Sequence, residues 1–355
     1  MKISYSIPVM AALTLVGCND SDSTGPSGDE YDFSDILNTF QSKVAIATYA
    51  DLDSKASTLA TRVAAFASSG SQADLNAACD AWRASRVPWE SSEAFLFGPA
   101  AILSLDPSLD SWPVDVQQLD DVLASDFELT VDFVAEGLGP ALRGFHTIEY
   151  LLFEGGAPGN AADVTDRERA YLVAVTGVLA NDTATLHEAW ADGGDFGPAF
   201  GPEFAAAGTS GSRYFTQADA ALEMVEGMIG ICDEVGNGKI GDPYAENDPG
   251  LVESQFSWNS LVDFQNNMAS VKNAYMGGYT SDGPGLNDFV AEKDADLDAR
   301  LQNEIDAATA AIASIPEPFR GNLSASSQIE AAQQAIATVL ETLDGDVRAL
   351  LGGST

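Results

Sequence analysis

The amino-acid sequence predicts an all-α protein made of two consecutive antiparallel helical bundles packed together. Three observations point there. Apolar residues recur at helical spacing over long stretches, as at Phe33, Ile36, Leu37, Phe40 and Val44, then Leu52, Leu59, Val63 and Phe66. The sequence has no strand-like alternation of useful length. A stretch rich in Gly, Pro and Phe, 191–211, divides the helical segments into two groups, so one bundle on each side explains the pattern.

The first element precedes the bundles. Lys2 is followed by a short apolar run, 7–16, interrupted by Pro8 and ending at Leu15-Val16-Gly17-Cys18. The run is too short to span a bilayer as a mature helix, and small residues before a cleavage point suit a signal peptidase. The Leu-Val-Gly-Cys order is similar to a bacterial lipobox. Residues 1–18 are therefore expected to be a signal peptide, with Cys18 lipidated as the first mature residue. Residues 19–32 are polar and have little to bury, so they are expected to form a flexible acidic tether. This places the protein in the envelope of a bacterium, anchored through lipid. Asn19, rather than Asp, behind the cysteine points to the outer membrane, with the body facing the periplasm or the cell surface.

The first bundle is expected over 33–190. Its first helix, 33–69, ends at Gly70, and Ser71 is the next N-cap, with Asp74 three positions on. A second helix, 75–97, stops before Gly98-Pro99. Shorter helices at 114–124 and 126–134 come after Trp112-Pro113. A loop, Gly137-Leu138-Gly139-Pro140, leads to a helix over 141–153, and 166–190 is long and periodic, capped by 163–165. Residues 191–213 are a Gly/Pro-rich connection. The second bundle, 214–352, begins with a helix at 214–233. A turn-rich stretch, 236–250, precedes helices at 255–275, 289–315 and 326–351.

Composition narrows the function. The chain has 355 residues, 45% of them hydrophobic, enough for a large core, and no later apolar stretch is long enough to cross a membrane. Asp+Glu 54 against Lys+Arg 16 gives a net charge of -38. Such a field repels nucleic acid and anionic lipid, so no nucleic-acid partner is expected. A salt-adapted host would produce the same charge, so it names no function. Cys79 and Cys232 remain after Cys18 and are candidates for a disulfide in an oxidising envelope; geometry decides.

One helix carries distinctive chemistry. His146 and Glu149 are three apart and share a face, surrounded by Leu142, Phe145, Ile148, Leu152 and Phe153. A His and a Glu buried side by side must be paired, hydrogen-bonded or coordinating. Imidazole nitrogen with carboxylate oxygen suits zinc or iron, while a structural His–Glu hydrogen bond fits the same short pattern. Arg86, Glu90 and Glu93 form another stripe, and an Arg among Trp82, Trp89, Phe95 and Phe97 needs a carboxylate partner if buried. Ser260, Asp263 and Asn267 line a stripe in the second half. Polar ties between the bundles and a polar pocket at their interface both satisfy these patterns.

Gly144, His146 and Glu149 match the Gly-x-His-x-x-Glu motif of the imelysin family, which the chain resembles over roughly 33–351. Further matching segments are Trp82 through Pro99; Trp112-Pro113 with Asp115 and Leu119-Asp120; Gly241-Asp242-Pro243; Glu253 through Ser260; and Asp263, Asn267 and Tyr275-Met276-Gly277. The resemblance implies a shared pocket with His146 and Glu149 at its wall. Glu93 and Glu90 are further candidate metal ligands. Gly144, Arg86, Ser257, Asn259, Ser260, Asp263, Asn267 and Tyr275 are candidate supporting residues. It also implies a non-enzymatic envelope protein that binds a metal ion, iron first, for uptake or sensing, alongside other iron-uptake components. The alternative is a metallopeptidase using the same pair, since the family was first described as one. A catalytic zinc usually takes three protein ligands and keeps an open position. This chain has two histidines and no His-Glu-x-x-His; His187, the other imidazole, reads as a solvated helix residue. A small organic ligand is a third reading of the same pocket.

Overall fold

Helical periodicity is realised almost everywhere in the computed structural model of the protein, which describes residues 31–353; Cys18 and the tether through residue 30 lie outside the described residues. The chain enters through α1 (Ser34–Thr39), a π-helical turn (Phe40–Ala45) and α2 (Ile46–Ser69). Periodicity reads these as one helix. The wider turn re-phases the apolar stripe, so Phe40, Val44, Tyr49 and Leu52 are all buried. Gly70 closes α2 in the left-handed conformation. Ser71 then caps α3 (Gln72–Glu90) by accepting from the Asp74 N–H at 3.2 Å.

The helix expected over 75–97 ends earlier, and a 3-10 turn, Glu93–Phe95, comes after it. Two short helices with little apolar periodicity come next, α4 (Pro99–Ile102) and α5 (Leu105–Asp110). After α6 (Val116–Ala124), α7 (Val131–Gly137) and α8 (Gly144–Leu152), a small antiparallel hairpin pairs β1 (Phe153–Glu154) with β2 (Ala157–Pro158). The long α9 (Asp166–Ala191) opens with a capping box between Thr165 and Glu168. α2 packs on α3 and α9, and α7 and α8 pack on α9, forming the first bundle.

The Gly/Pro-rich connection is pinned to the core rather than loose. It contains α10 (Phe200–Ala205), whose Phe200 and Phe204 are buried against Trp190 and Phe97. The second bundle opens with α11 (Gln217–Asp233), a π-helical turn (Glu234–Lys239) and α12 (Gly241–Glu246). It continues through α13 (Ser260–Met276), α14 (Leu286–Lys293), α15 (Ala295–Ala313) and α16 (Ser326–Glu341). A further π-helical turn (Thr342–Val347) leads to α17 (Arg348–Leu350). Three expectations change here. The helix expected over 255–275 begins only at Ser260, because 253–258 form a turn in which Ser254 and Trp258 have positive φ. The stretch 236–250, read as turns from its glycines, is helical over much of its length. Packing on α16, where Gly236 lies against Ile336, overrides the low helix propensity. The helix expected over 289–315 is divided at Asp294, which caps α15 by accepting from the N–H groups of Asp296 and Leu297.

The bundles meet through α3 against α13 and through the Glu93–Phe95 turn against α11 and α13. At Gly227 of α11 the backbones are so close that a Cβ would lie 2.1 Å from the Ala94 carbonyl oxygen. From Asp32 onward the described residues form one unit. Cys79 and Cys232 are both buried free thiols and are not paired with each other. No helix among the described residues is long and apolar enough to cross a membrane.

Candidate functional site

Polar side chains from seven segments, α13 with Asp263 and Asn267 among them, meet at this interface. α3 contributes Arg86 and Glu90 one turn apart, and Glu93 lies in the next turn. α5 ends on Asp110, α8 carries His146 and Glu149, the π turn after α11 ends on Lys239, and the segment before α13 supplies Glu253. Arg86, Glu90, His146, Glu149, Asp263 and Asn267 are buried to within 1% of total. Groups so buried need partners, since an unpaired ion costs several kcal/mol.

Arg86 is the hub. Its guanidinium pairs with Asp110 and Glu90, lies 3.0 Å from Glu253 Oε1 and 3.7 Å from Asp263 Oδ2, and rests over the Phe145 ring. Its planar fork suits several carboxylates at once. Lys239 is a second cation, 2.9 Å from Glu93, 3.2 Å from Glu253 and 3.5 Å from Glu90. Asn267 donates to Glu90 Oε2 at 2.6 Å and to Glu93 Oε2 at 2.9 Å.

His146 stands between two sets of oxygens. Its Nδ1 lies 3.1 Å from Glu149 Oε2. Its Nε2 faces Asp110 Oδ1 at 3.1 Å and Glu253 Oε1 at 3.4 Å, yet neither oxygen lies along the ring N–H direction, and Nε2 makes no hydrogen bond among the described residues. Glu149 is saturated: Oε1 accepts from the Phe256 N–H at 3.0 Å and from the Ser257 N–H and Oγ, both at 2.7 Å. Ser254 and Trp258, at the two ends of that segment, both have positive φ (51° and 60°), so the loop that grips Glu149 is locally strained. Trp112 covers the other side, its ring 5.0 Å from that of His146 and its Nε1 donating to the Leu251 carbonyl.

The electrostatics divide the carboxylates. Burial works against ionising Asp110, but Arg86 and His146 outweigh it and hold that carboxyl far below its ordinary range. Burial likewise opposes ionised Glu253, and Lys239, His146 and Arg86 bring it down to about 2. Glu90 goes the other way: burial dominates despite Arg86 and Lys239 and pushes it up to about 8. Burial and then Glu90 also raise Glu93 well above the ordinary value. Burial opposes charge on His146, but Asp110 outweighs it and favours the imidazolium. The two oxygens at Nε2 therefore belong to carboxyls whose ionised form the surroundings favour.

Most residues singled out from the sequence converge here. Ser257 holds Glu149. Asn259 donates to Asp263 at 2.7 Å, and Ser260 to the Glu253 carbonyl at 2.5 Å. Gly144 lets α8 touch α5. Tyr275 is a correction: it lies about two turns beyond Asn267 along α13, and its hydroxyl donates to Asp298 on α15. His187 lies apart on α9, partly exposed, 3.5 Å from Asp53. Sequence patterns miss two members. Asp110 lies on a helix too short to show periodicity. Lys239 lies in a stretch that reads as turns, although a lone Lys beside Gly241-Asp242-Pro243 in so acidic a chain is a usable signal. Glu253 stands out in the sequence only as part of a segment matching the family.

An all-helical, two-bundle protein with an imidazole and ionised carboxylates buried between the bundles is the class that this fold and site define. The family model described as Imelysin matches residues 45–344. The iron-regulated protein A of Synechococcus elongatus is 31% identical over 321 residues, covering 89% of this chain and 86% of that one. The crystal structure of a protein described as an iron-regulated protein A precursor, from Parabacteroides distasonis, superposes with a TM-score of 0.84 at 34% identity, over 92% of this chain and 97% of that one. An imelysin-like protein from Psychrobacter arcticum shares the fold, with a TM-score of 0.71 at 15% identity over 89% and 94%. The chain belongs to the imelysin family.

Proposed function

We propose that this protein is a non-enzymatic cell-envelope protein that holds one divalent metal ion, iron first, between His146 Nε2, Asp110 and Glu253, for uptake or sensing. The observation that carries the reading is the buried Nε2 in ion-pair range of Asp110 and Glu253 with no well-aligned hydrogen bond to either, and ligand atoms of His146, Asp110 and Glu253 all within 4.8 Å of one another. One imidazole and two carboxylates form a donor set for iron, zinc or manganese. A bound ion would replace the proton on Nε2 and use oxygens that are already ionised. Glu149 then serves as the carboxylate behind the histidine, fixing its tautomer and ring orientation. The names of two relatives, which refer to iron regulation, favour iron among these ions.

Holding, rather than hydrolysis, is favoured by the surroundings. Asp110 and Glu253 are each paired with Arg86 or Lys239, and Glu149 is held by His146 Nδ1, the Phe256 and Ser257 N–H groups and the Ser257 hydroxyl, so each carboxylate nearest His146 is already engaged rather than free to act as a general base. Metal analysis of the purified protein beside His146→Ala tests the reading. Wild type is expected to carry or take up one ion per chain and the variant none; equal content in both overturns it.

The location is part of the same proposal. Cys18 anchors the protein through lipid to a bacterial membrane, where its acidic body meets other iron-uptake components of the envelope. Cys18→Ser is expected to move the protein to the soluble fraction or block its processing. Unchanged fractionation and migration would count against the anchor.

A further inference from the structure

The cluster is larger than one ion requires. Two adjoining groups of ligand atoms share Asp110: Asp110 with His146 and Glu253, and Asp110 with Glu90 and Glu93. A carboxylate common to two sets is how neighbouring cations are bridged in two-metal sites. The first group contains the imidazole nitrogen that faces Asp110 and Glu253 without a well-aligned hydrogen bond to either. The second already has a positive occupant, the Lys239 ammonium, 2.9 Å from Glu93 and 3.5 Å from Glu90 while also 3.2 Å from Glu253.

Lys239 is brought there by a specific backbone feature. It is the last residue of the π-helical turn Glu234–Lys239, and its side chain is 8% exposed. A π turn inserts a residue into a helix and rotates the succeeding residues around the axis, and such turns recur at functional sites. Lys239 is thus delivered from the second bundle onto carboxylates of the first.

We propose that Lys239 is a tethered cation filling the second position of a two-cation cluster, so that the protein takes one divalent ion beside His146, and a neutral residue at 239 opens a second site. This rests on the metal reading above. The physical reason is charge balance. A buried carboxylate without a counter-ion or a proton is costly, and the ammonium, 3.2 Å from the ionised Glu253 and 2.9 Å from Glu93, offsets that cost when no metal is present. The cluster can then stay folded while its single exchangeable ion comes and goes, which a carrier or sensor needs. Arg86 also pairs with Asp110 and Glu90 and stays in place in every variant as the fixed cation that joins the groups, while Lys239 is the cation that reaches Glu93.

Mn2+ is a suitable probe, since it prefers oxygen and nitrogen ligands and two neighbouring ions give a coupled paramagnetic resonance signal. The full-length protein, Lys239→Met, Lys239→Gln and His146→Ala are titrated and the bound ions counted. One ion is expected in wild type, two with a coupled signal in both Lys239 variants, and none in His146→Ala. Adding Glu93→Gln to Lys239→Met is expected to return the count to one. Folded Lys239 variants that bind as wild type does overturn the inference while leaving the metal reading intact. If wild type binds none, the metal reading fails, and Lys239 variants that also bind none overturn the inference with it. Should Lys239→Met lose its helical circular dichroism without metal, restoration by Mn2+ supports the inference, and failure of Mn2+ to restore it counts against it.

Discussion

Gly144 and Leu109 meet backbone to backbone: a Cβ on Gly144 would lie 2.3 Å from the Leu109 carbonyl oxygen. The contact presses the start of α8 onto the end of α5. It sets Asp110, the residue after Leu109, against His146, two residues after Gly144, with 3.1 Å between carboxylate and imidazole. Glycine in the family motif is therefore a packing requirement that positions two charged groups.

Gly144→Ala is expected to be strongly destabilising. Gly144 has φ +81°, which costs a side-chain-bearing residue about 1–3 kcal/mol, and the added methyl also strikes backbone that cannot turn aside. The denaturant midpoint should fall, and cation uptake with it. A variant with the wild-type midpoint would show that α5 yields easily.

Glu149 and His146 should differ in kind when tested. Glu149→Gln retains the ring and both ionised carboxylates at Nε2 but weakens the acceptor at Nδ1. Loss of such a supporting carboxylate typically costs about 10–100-fold in metal affinity. Calorimetric titration is expected to give that partial loss, against complete loss in His146→Ala and Asp110→Asn. Complete loss in Glu149→Gln as well would make Glu149 a ligand.

Stability of the metal-free protein should fall as pH rises. Burial pushes Glu90 up to about 8 from an ordinary 4.5. Between those values the folded chain holds a proton that the unfolded chain has released. The contribution of this group is full below 4.5 and is lost as pH rises through about 8, at up to about 1.4 kcal/mol per pH unit. Glu253, held at about 2, acts in reverse: its contribution is present above 4.5 and lost as pH falls through about 2. Urea unfolding from pH 5 to 8 is expected to show the decline, to which Glu93 and Asp263, also raised by burial, contribute, and Glu90→Gln is expected to make it shallower. Parallel profiles would refute the assignment to Glu90.

Cys79 and Cys232 should be silent in the native protein. Burial pushes both thiols up to about 12, and the thiolate is the reactive form. Peptide mapping after brief alkylation at pH 8 is expected to find neither labelled in buffer and both labelled in urea. Labelling of either in the native state would mean that its packing opens readily.

Local signals carry most of the architecture. The stripe from Phe33 to Phe66, the Gly70–Ser71 boundary and the Thr165 cap each depend on residues within a few positions, so they are legible one segment at a time. The stripe of Arg86, Glu90 and Glu93 and the pair His146 and Glu149 are legible for the same reason. Periodicity predicts burial, and burial predicts that charges must meet.

Which charges meet is decided only when the chain folds. Asp110 lies on a six-residue helix and Lys239 on a π turn rich in glycine, and neither shows a pattern along the sequence. Their roles depend on contacts between segments far apart in the chain, α5 on α8 and the π turn on the end of α3. The same holds for Glu149, whose spacing to His146 suits a ligand and a supporting carboxylate equally. What separates the two is that the strained loop between Ser254 and Trp258 occupies Oε1 while Nδ1 occupies Oε2. Helical spacing fixes which side chains share a face; the partner that each one finds is set by the tertiary packing that brings another segment within about 3 Å.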